Sequence, residues 1–150
     1  MGVIRDLDQS GGWGEVGTDA RAPLRILLAD DDQSVLRVMN NVVRFLGHVV
    51  VGTAIDGHEC VQRAKQLRPD LVMLDLTMPR SDGLQTAAAI TKTSRVPIII
   101  LTGATDEETL FRLSTADISG HLAKPFKLDE VKVAIENATQ RERQSAAAVA

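Results

Sequence analysis

Five polar side chains in this sequence are of the types that could carry out phosphoryl chemistry. They are the carboxylates of Asp30, Asp31 and Asp75, the hydroxyl of Thr102 and the amine of Lys124. Each lies where a run of apolar residues ends, which is where a core strand gives way to a turn. An aspartate in such a position most often caps a helix or forms a turn, so the chemistry is inferred from the combination.

The three carboxylates would repel one another if the fold brought them together, and a divalent cation would relieve that repulsion. A carboxylate-rich site with only oxygen ligands suits Mg²⁺, with Mn²⁺ as the alternative ion. A metal ion, an ammonium group and a hydroxyl around one carboxylate are what a phosphoryl group needs in order to be received in line on that carboxylate. The sequence therefore predicts an aspartyl phosphate.

The stretch that ends in Asp75 predicts the strand on which this site is centred. The apolar run 71–74 has the length and character of a strand buried on both faces. Met78 and Pro79 follow closely, and a proline stops a central strand from continuing. Asp75 is thus predicted at the carboxyl end of a core strand, where open parallel α/β sheets bind their ligands.

The rest of the chain alternates predicted strands with predicted helices. The connections are too long for hairpins, which indicates βαβ units and a doubly wound α/β fold with helices on both faces of a parallel sheet. We expect Leu110 and Leu113 to face inward on the fourth helix and Leu128, Val131, Ile135 and Ala138 to pack inward on the fifth. The apolar runs predict strands at 24–29, 49–51, 71–74, 96–101 and 120–123, and helical spacing runs over about 35–46, 57–67, 83–90, 106–114 and 128–138.

Length and composition bound the class of protein. The 150 residues suggest one domain, predicted at 23–139, between a flexible glycine-rich tail at 1–22 and a C-terminal tail at 140–150. The net charge of −3 gives no electrostatic reason to expect nucleic acid or a membrane surface as partner. The sequence has one cysteine, and it shows no apolar stretch of roughly 20 residues and no signal sequence. These features predict a soluble cytoplasmic protein.

Four motifs resemble the receiver domains of bacterial two-component response regulators. They are the segments 26–32, 74–83, 100–103 and 124–126, which read ILLADDD, LDLTMPRSDG, ILTG and KPF. The resemblance runs from about Leu24 to Ala138, with every motif in order. It implies a flavodoxin-like (βα)5 fold with the strand order 2-1-3-4-5.

The resemblance also implies a role for each acidic residue. Asp75 would accept the phosphoryl group from a histidine kinase or a phosphotransfer protein, or from a small donor, and would later lose it by auto-dephosphorylation. Asp31 and Asp75 would bind Mg²⁺ through their carboxylates, with the backbone carbonyl of Thr77 as a third ligand. Asp30 would act through a metal-bound water. The chain would be a phosphoacceptor and not an enzyme.

The remaining motif residues would stabilise the phosphoryl group and read it out. Lys124 would pair with a phosphoryl oxygen, with a cis peptide bond to Pro125, and Thr102 would be the switch hydroxyl. His121 occupies the switch position where the family usually has Tyr or Phe, and the alternative is that it is simply an exposed edge residue. Asp32 has either a capping role or a role in the site.

These expectations give a stand-alone receiver, monomeric or dimerising on phosphorylation, that signals through helix four, strand five and helix five to an unknown output protein. Alternatives are a phosphorelay intermediate or phosphate sink, and a receiver fragment of a longer transcriptional regulator. A remote alternative is a haloacid-dehalogenase-like phosphatase with Asp30 as nucleophile. That motif would end in Thr where this chain has Ser34, and it lacks an acidic pair after Lys124.

Overall fold

The structure is a computed structural model that describes residues 22–149, with side chains described as far as residue 140. Residues 1–21, which make up nearly all of the predicted N-terminal tail, lie outside the described residues. The domain limits at 23 and 139 therefore stay predictions. Among residues 22–149, none of the helices combines the length and the apolar character that crossing a bilayer requires.

A parallel sheet of five strands forms the centre of the fold. Its order is β2-β1-β3-β6-β7, which is the expected 2-1-3-4-5 when only the strands of this sheet are counted. A short antiparallel hairpin, β4-β5, lies outside it. The flavodoxin-like fold is therefore confirmed. The strands are β1 (Arg25–Ala29), β2 (Val49–Ala54), β3 (Leu71–Asp75), β4 (Thr77–Met78), β5 (Ser81–Asp82), β6 (Ile98–Thr102) and β7 (Gly120–Ala123).

Five helices alternate with the strands of the parallel sheet. An aspartate in extended conformation caps each of the first four, and its carboxylate accepts a backbone N–H of the first turn. Such caps satisfy amide groups that have no partner inside the helix. The fifth helix stays helical to Val149, through most of the predicted C-terminal tail. The helices are α1 (Gln33–Phe45), α2 (Gly57–Leu67), α3 (Gly83–Thr91), α4 (Glu107–Thr115) and α5 (Leu128–Val149).

The sheet separates two apolar cores. Leu27 of β1 packs in one core with residues of α2 and α3, whereas Leu28 packs in the other with residues of α1 and α5. Successive side chains of a strand point to opposite faces, and both faces of the central strands are covered. For this reason β3 and β6 are buried along their whole length and read as continuous apolar runs.

Two leucines predicted to face inward are exposed. Leu110 and Leu128 each keep 42% of their surface accessible. Within α4, all of which the structure describes, Leu113 is the one buried residue, so this helix meets the core through its last turn. Leu128 is the first residue of α5, and the helix reaches the core only at Val131.

Candidate functional site

The predicted site residues meet at the carboxyl edge of the sheet. Asp75 and Thr102 are the last residues of β3 and β6, and Asp30 and Lys124 directly follow β1 and β7. Because these strands are parallel, their carboxyl ends lie at one edge. They open on a cavity of about 420 Å³ that is lined by Asp30, Asp31, Asp32, Asp75, Leu76, Thr77, Thr102, Gly103, Ala104 and Lys124.

Lys124 lies between two buried carboxylates. Its Nζ donates a hydrogen bond to Oδ2 of Asp30 at 2.7 Å and another to Oδ1 of Asp75 at 2.8 Å. Asp30 is 1% exposed and Asp75 is 5% exposed, so both charges depend on this amine for compensation. Charge-assisted hydrogen bonds of this length are among the stronger ones in proteins.

The second oxygen of Asp30 is engaged as well. Oδ1 accepts a hydrogen bond from the backbone N–H of Asp32 at 2.9 Å. The carboxylate of Asp32 in turn accepts from the N–H of Ser34 and caps α1. Asp32 therefore has the capping role that the sequence left as one of two possibilities, although it also lines the cavity.

The acidic residues fit a hard divalent cation. Asp30, Asp31 and Asp75 each offer a carboxylate oxygen, and these oxygens lie within 4.8 Å of one another. Asp31 is exposed, so the cluster is open on the solvent side. Thr77 lies on the rim of the same cavity. Carboxylate and carbonyl oxygens with room for water are the ligands that suit Mg²⁺.

Burial and the neighbouring carboxylates work against the ionised form of Asp75. Burial raises the pKa of this carboxyl, and the negative charges of Asp30 and Asp31 raise it further, while the hydrogen bond and charge of Lys124 lower it in part. For Lys124, burial lowers the pKa, but the two carboxylates outweigh burial and its pKa is raised overall. The amine stays charged, and the carboxylates have an excess of negative charge that a cation would offset.

Thr102 is held in a local turn. Its Oγ1 accepts a hydrogen bond from the backbone N–H of Ala104 at 2.9 Å, and the residue is almost fully buried. A hydroxyl that bonds to a backbone group two residues on is a common turn former. The hydroxyl is thereby fixed at the start of the loop that leads into α4.

The hairpin β4-β5 fixes the chain just after Asp75. The backbone N–H of Gly83 donates to the carbonyl of Leu76. A Cβ atom on Gly83 would lie 2.6 Å from the carbonyl oxygen of Asp75 and 2.7 Å from Cα of Leu76. Glycine is required where two backbones approach this closely. The turn between the strands has Arg80 at a φ of 56°.

Two residues of this region have roles that the sequence did not predict. Asp82 accepts hydrogen bonds from the N–H groups of Leu84 and Gln85 as the cap of α3, and Arg112 of α4 donates to its other oxygen. Burial raises the pKa of Asp82, but the hydrogen bonds from Arg112 and from the backbone lower it by more. The pKa of Asp82 therefore lies below its ordinary value. An Asp-Gly pair before a helical pattern signals the cap, whereas no local pattern signals Arg112.

His121 stays outside the cavity. Its side chain is exposed on β7, one of the two edge strands of the parallel sheet, where the residue pairs in register with Ile100. This is the position of an exposed edge residue, and a switching role stays a prediction. The peptide bond between Lys124 and Pro125 is cis, as the resemblance implied.

Comparison with known protein families gives a match to the response regulator receiver domain over residues 26–136. This segment covers every strand of the parallel sheet except the first residue of β1. It also contains all of the residues that line the cavity at the carboxyl edge.

Two curated relatives illustrate the similarity. The chain is 36% identical over 126 residues to the transcriptional regulatory protein PdtaR of Mycobacterium tuberculosis, covering 84% of this chain and 62% of that protein. It is 34% identical over 123 residues to the probable C4-dicarboxylate response regulator DctR of Bacillus subtilis, covering 81% and 54%. The chain thus spans between about half and three fifths of the length of these relatives.

Solved structures show the same fold. The receiver domain of a modulated diguanylate cyclase from Desulfovibrio desulfuricans G20 is 30% identical, with a TM-score of 0.75, and the match covers 82% of this chain and 98% of that one. The receiver domain of the response regulator NarL from Mycobacterium tuberculosis, at 24% identity and a TM-score of 0.74, shares the fold over 80% of this chain and 98% of its own. By sequence and by fold, the chain belongs to the receiver domains of two-component response regulators.

Proposed function

We propose that this chain accepts a phosphoryl group on Asp75, with Mg²⁺ bound beside it, and signals through partner binding that depends on phosphorylation. The observation that carries the proposal is the arrangement at the end of β3. Asp75 lies 2.8 Å from the amine of Lys124 and within 4.8 Å of the carboxylates of Asp30 and Asp31.

The metal ligands in this proposal are the carboxylates of Asp31 and Asp75 and the backbone carbonyl of Thr77. Asp30 contributes through a metal-bound water, and this is supported by the hydrogen bonds that already occupy both of its oxygens. When bound, Mg²⁺ supplies positive charge that offsets the negative charge on the oxygens of the incoming phosphoryl group.

A carboxylate oxygen of Asp75 attacks the phosphorus atom in line with the donor's leaving group. The new bond joins phosphorus to the Asp75 oxygen, and the bond to the leaving group breaks with its electron pair going to that group. Lys124, whose amine now lies 2.8 Å from Oδ1 of Asp75, pairs with a phosphoryl oxygen. A histidine kinase or a phosphotransfer protein is the proposed donor, and a small acyl phosphate can replace it.

The response passes to the surface formed by α4, β7 and α5, which we call the output face. The hydroxyl of Thr102, which now donates to the carbonyl of Ala104 at 3.4 Å, donates instead to a phosphoryl oxygen, and this shifts the loop that precedes α4. Exposed apolar side chains on both helices support a binding role for this surface. They are Leu110 and Phe111 on α4 and Leu128 and Val133 on α5.

Phosphorylation by acetyl phosphate in the presence of Mg²⁺, measured by intact mass, tests the proposal. We expect the wild-type chain to gain one phosphoryl group, Asp75→Asn to gain none and Asp30→Asn to gain it more slowly. Asp129→Asn is the matched control because this carboxylate is exposed on α5 outside the cavity. Uptake of the phosphoryl group by Asp75→Asn would refute the proposal. Loss of uptake in Asp30→Asn but not in Asp75→Asn would favour the phosphatase alternative.

A second candidate is that the same chemistry serves a longer transcriptional regulator. It is favoured by the names of the relatives and by the share of their length that this chain matches. In this role the output face contacts a further segment of the regulator. Binding of the isolated phosphorylated chain to a separate protein would instead support the stand-alone role, and transfer of its phosphoryl group to a histidine protein would support the phosphorelay role.

A further inference from the structure

An ion pair joins α4 to the hairpin beside the site. Nη2 of Arg112 lies 2.6 Å from Oδ2 of Asp82, and the two residues are thirty positions apart in the chain. The other oxygen of Asp82 accepts the N–H groups of Leu84 and Gln85 at 2.8 and 3.3 Å. The carboxylate is therefore fixed from two sides, by the start of α3 and by α4.

Asp82 is the direct neighbour of the proposed carbonyl ligand. In the antiparallel register of the hairpin, Asp82 pairs with Thr77. The hairpin is also held from α2, because the N–H of Gly57 donates to Oγ of Ser81 at 2.8 Å. A displacement of Asp82 would accordingly be transmitted to Thr77 across a single pair of residues.

Arg112 also belongs to a helix that is mostly exposed. Within α4, which the structure describes completely, Leu113 alone is buried. The link from Arg112 to Asp82 thus ties a lightly packed helix of the output face to the loop that follows Asp75.

We propose that Arg112 is a positioning residue for the magnesium site, acting through Asp82 on the carbonyl of Thr77. The inference rests on the proposed function, because it takes that carbonyl as a metal ligand. Residues outside the ligand set commonly tune metal affinity by orienting the ligands. Coupling is reciprocal, so a metal ion in the site also restrains α4.

The size of the effect follows from the exposure of the pair. The side chains of Arg112 and Asp82 are 42% and 32% exposed. Ion pairs that are this exposed to solvent have a small interaction free energy. We expect the loss of Arg112 to weaken Mg²⁺ binding by about two- to fivefold.

The test is calorimetric titration of the full chain with Mg²⁺. Arg112→Gln and Asp82→Ser, which keeps a capping side chain, should both show the weaker affinity, and the double variant should show no further loss. Arg112→Lys should recover part of it. Arg63→Gln is the matched control, since Arg63 is also 42% exposed and pairs with Glu59 on α2, outside the cavity.

Hydrogen exchange provides a second measurement that does not depend on phosphorylation. Adding Mg²⁺ should slow amide exchange in α4 of the wild-type chain and of Arg63→Gln, but not in Arg112→Gln. Wild-type affinity in Arg112→Gln, or equal protection of α4 in that variant, would overturn the inference. If the wild-type chain itself bound no Mg²⁺, the proposed function would fail first, and that result is distinguishable from a difference between variants.

Discussion

Lys124 is the residue on which the charge balance of the site depends. Its single amine contacts both Asp30 and Asp75, while Asp31 adds a third carboxylate nearby. One cation facing three acids leaves an excess of negative charge at the end of β3. The metal-free site is thus arranged for binding a cation and costs the fold some stability.

Replacing Asp75 with Asn should stabilise the metal-free protein. The pKa of Asp75 is raised in the fold, so the folded chain holds its proton more tightly than the unfolded chain does. Stability therefore falls as the pH rises from the ordinary value of 3.8 through the raised pKa. Thermal unfolding without Mg²⁺ should show this decline in the wild-type chain relative to Asp75→Asn.

Added Mg²⁺ should reverse the order of the two proteins. Binding to the folded state alone stabilises by about 2.7 kcal/mol at a hundred times the dissociation constant. The wild-type chain should gain this stability, whereas Asp75→Asn should gain much less. Equal stabilisation of the two by Mg²⁺ would argue against Asp75 as a ligand.

Substitution of Lys124 should separate phosphorylation from its response. We expect Lys124→Ala to take up a phosphoryl group from acetyl phosphate, because Asp75 and the proposed metal ligands remain. The change in α4 should be muted, since no amine pairs with the phosphoryl oxygen. Intact mass and hydrogen exchange on the same sample measure the two steps, and Lys132→Ala on α5 is the control. A normal response in α4 of Lys124→Ala would contradict this role.

At the scale of elements, the hairpin β4-β5 is the part that the sequence did not predict. Strands of two residues show no periodicity, and the chain from Thr77 to Asp82 reads only as a turn. The longer elements were predictable because apolar runs and helical spacing alternate regularly. The exposure of Leu110 and Leu128 was not, because it depends on which turn of each helix reaches the core.

Gly83→Ala should damage both the fold and the site. The added methyl group would lie 2.6 Å from the backbone carbonyl of Asp75, and neither backbone can yield cheaply. We expect a loss of about 1–3 kcal/mol in the free energy of unfolding and weaker Mg²⁺ binding. Denaturant unfolding and calorimetry measure these effects. Gly120→Ala is the control, because a Cβ there meets nothing within 4 Å, and equal effects of the two would refute the explanation.

The site itself was largely predictable from one rule about parallel sheets. Asp30, Asp75, Thr102 and Lys124 all lie at strand ends, and the common direction of the strands brings them together without further information. Arg112 could not be found in this way. Its partnership with Asp82 depends on how far α4 lies from the hairpin, a distance that only the assembled fold determines.

At the scale of the whole molecule, the parallel sheet connects both apolar cores to the site. The strands that fill both cores also end in the residues of the cavity. Loss of packing in either core should therefore loosen the carboxyl edge, and the domain should unfold as one unit.

A large-to-small substitution in β6 tests whether the domain unfolds as one unit. Ile99 is fully buried in the core that faces α1 and α5, so Ile99→Ala should cost about 2–5 kcal/mol. Val133→Ala on the exposed side of α5 should cost far less. Denaturant unfolding followed by circular dichroism and by a probe on α2 should give coincident transitions. Separate transitions would show that the two faces unfold independently.

The hydrogen bond between Ala104 and Thr102 has a practical consequence for detection. The amide proton of Ala104 points at the hydroxyl oxygen that is proposed to move on phosphorylation. The nuclear magnetic resonance frequency of this amide proton should therefore change when the Thr102 side chain moves, and no fluorophore is needed to detect the movement. Under the proposed function, this one signal is an intrinsic spectroscopic marker of phosphorylation, and its frequency should shift with the balance between the two positions of the hydroxyl.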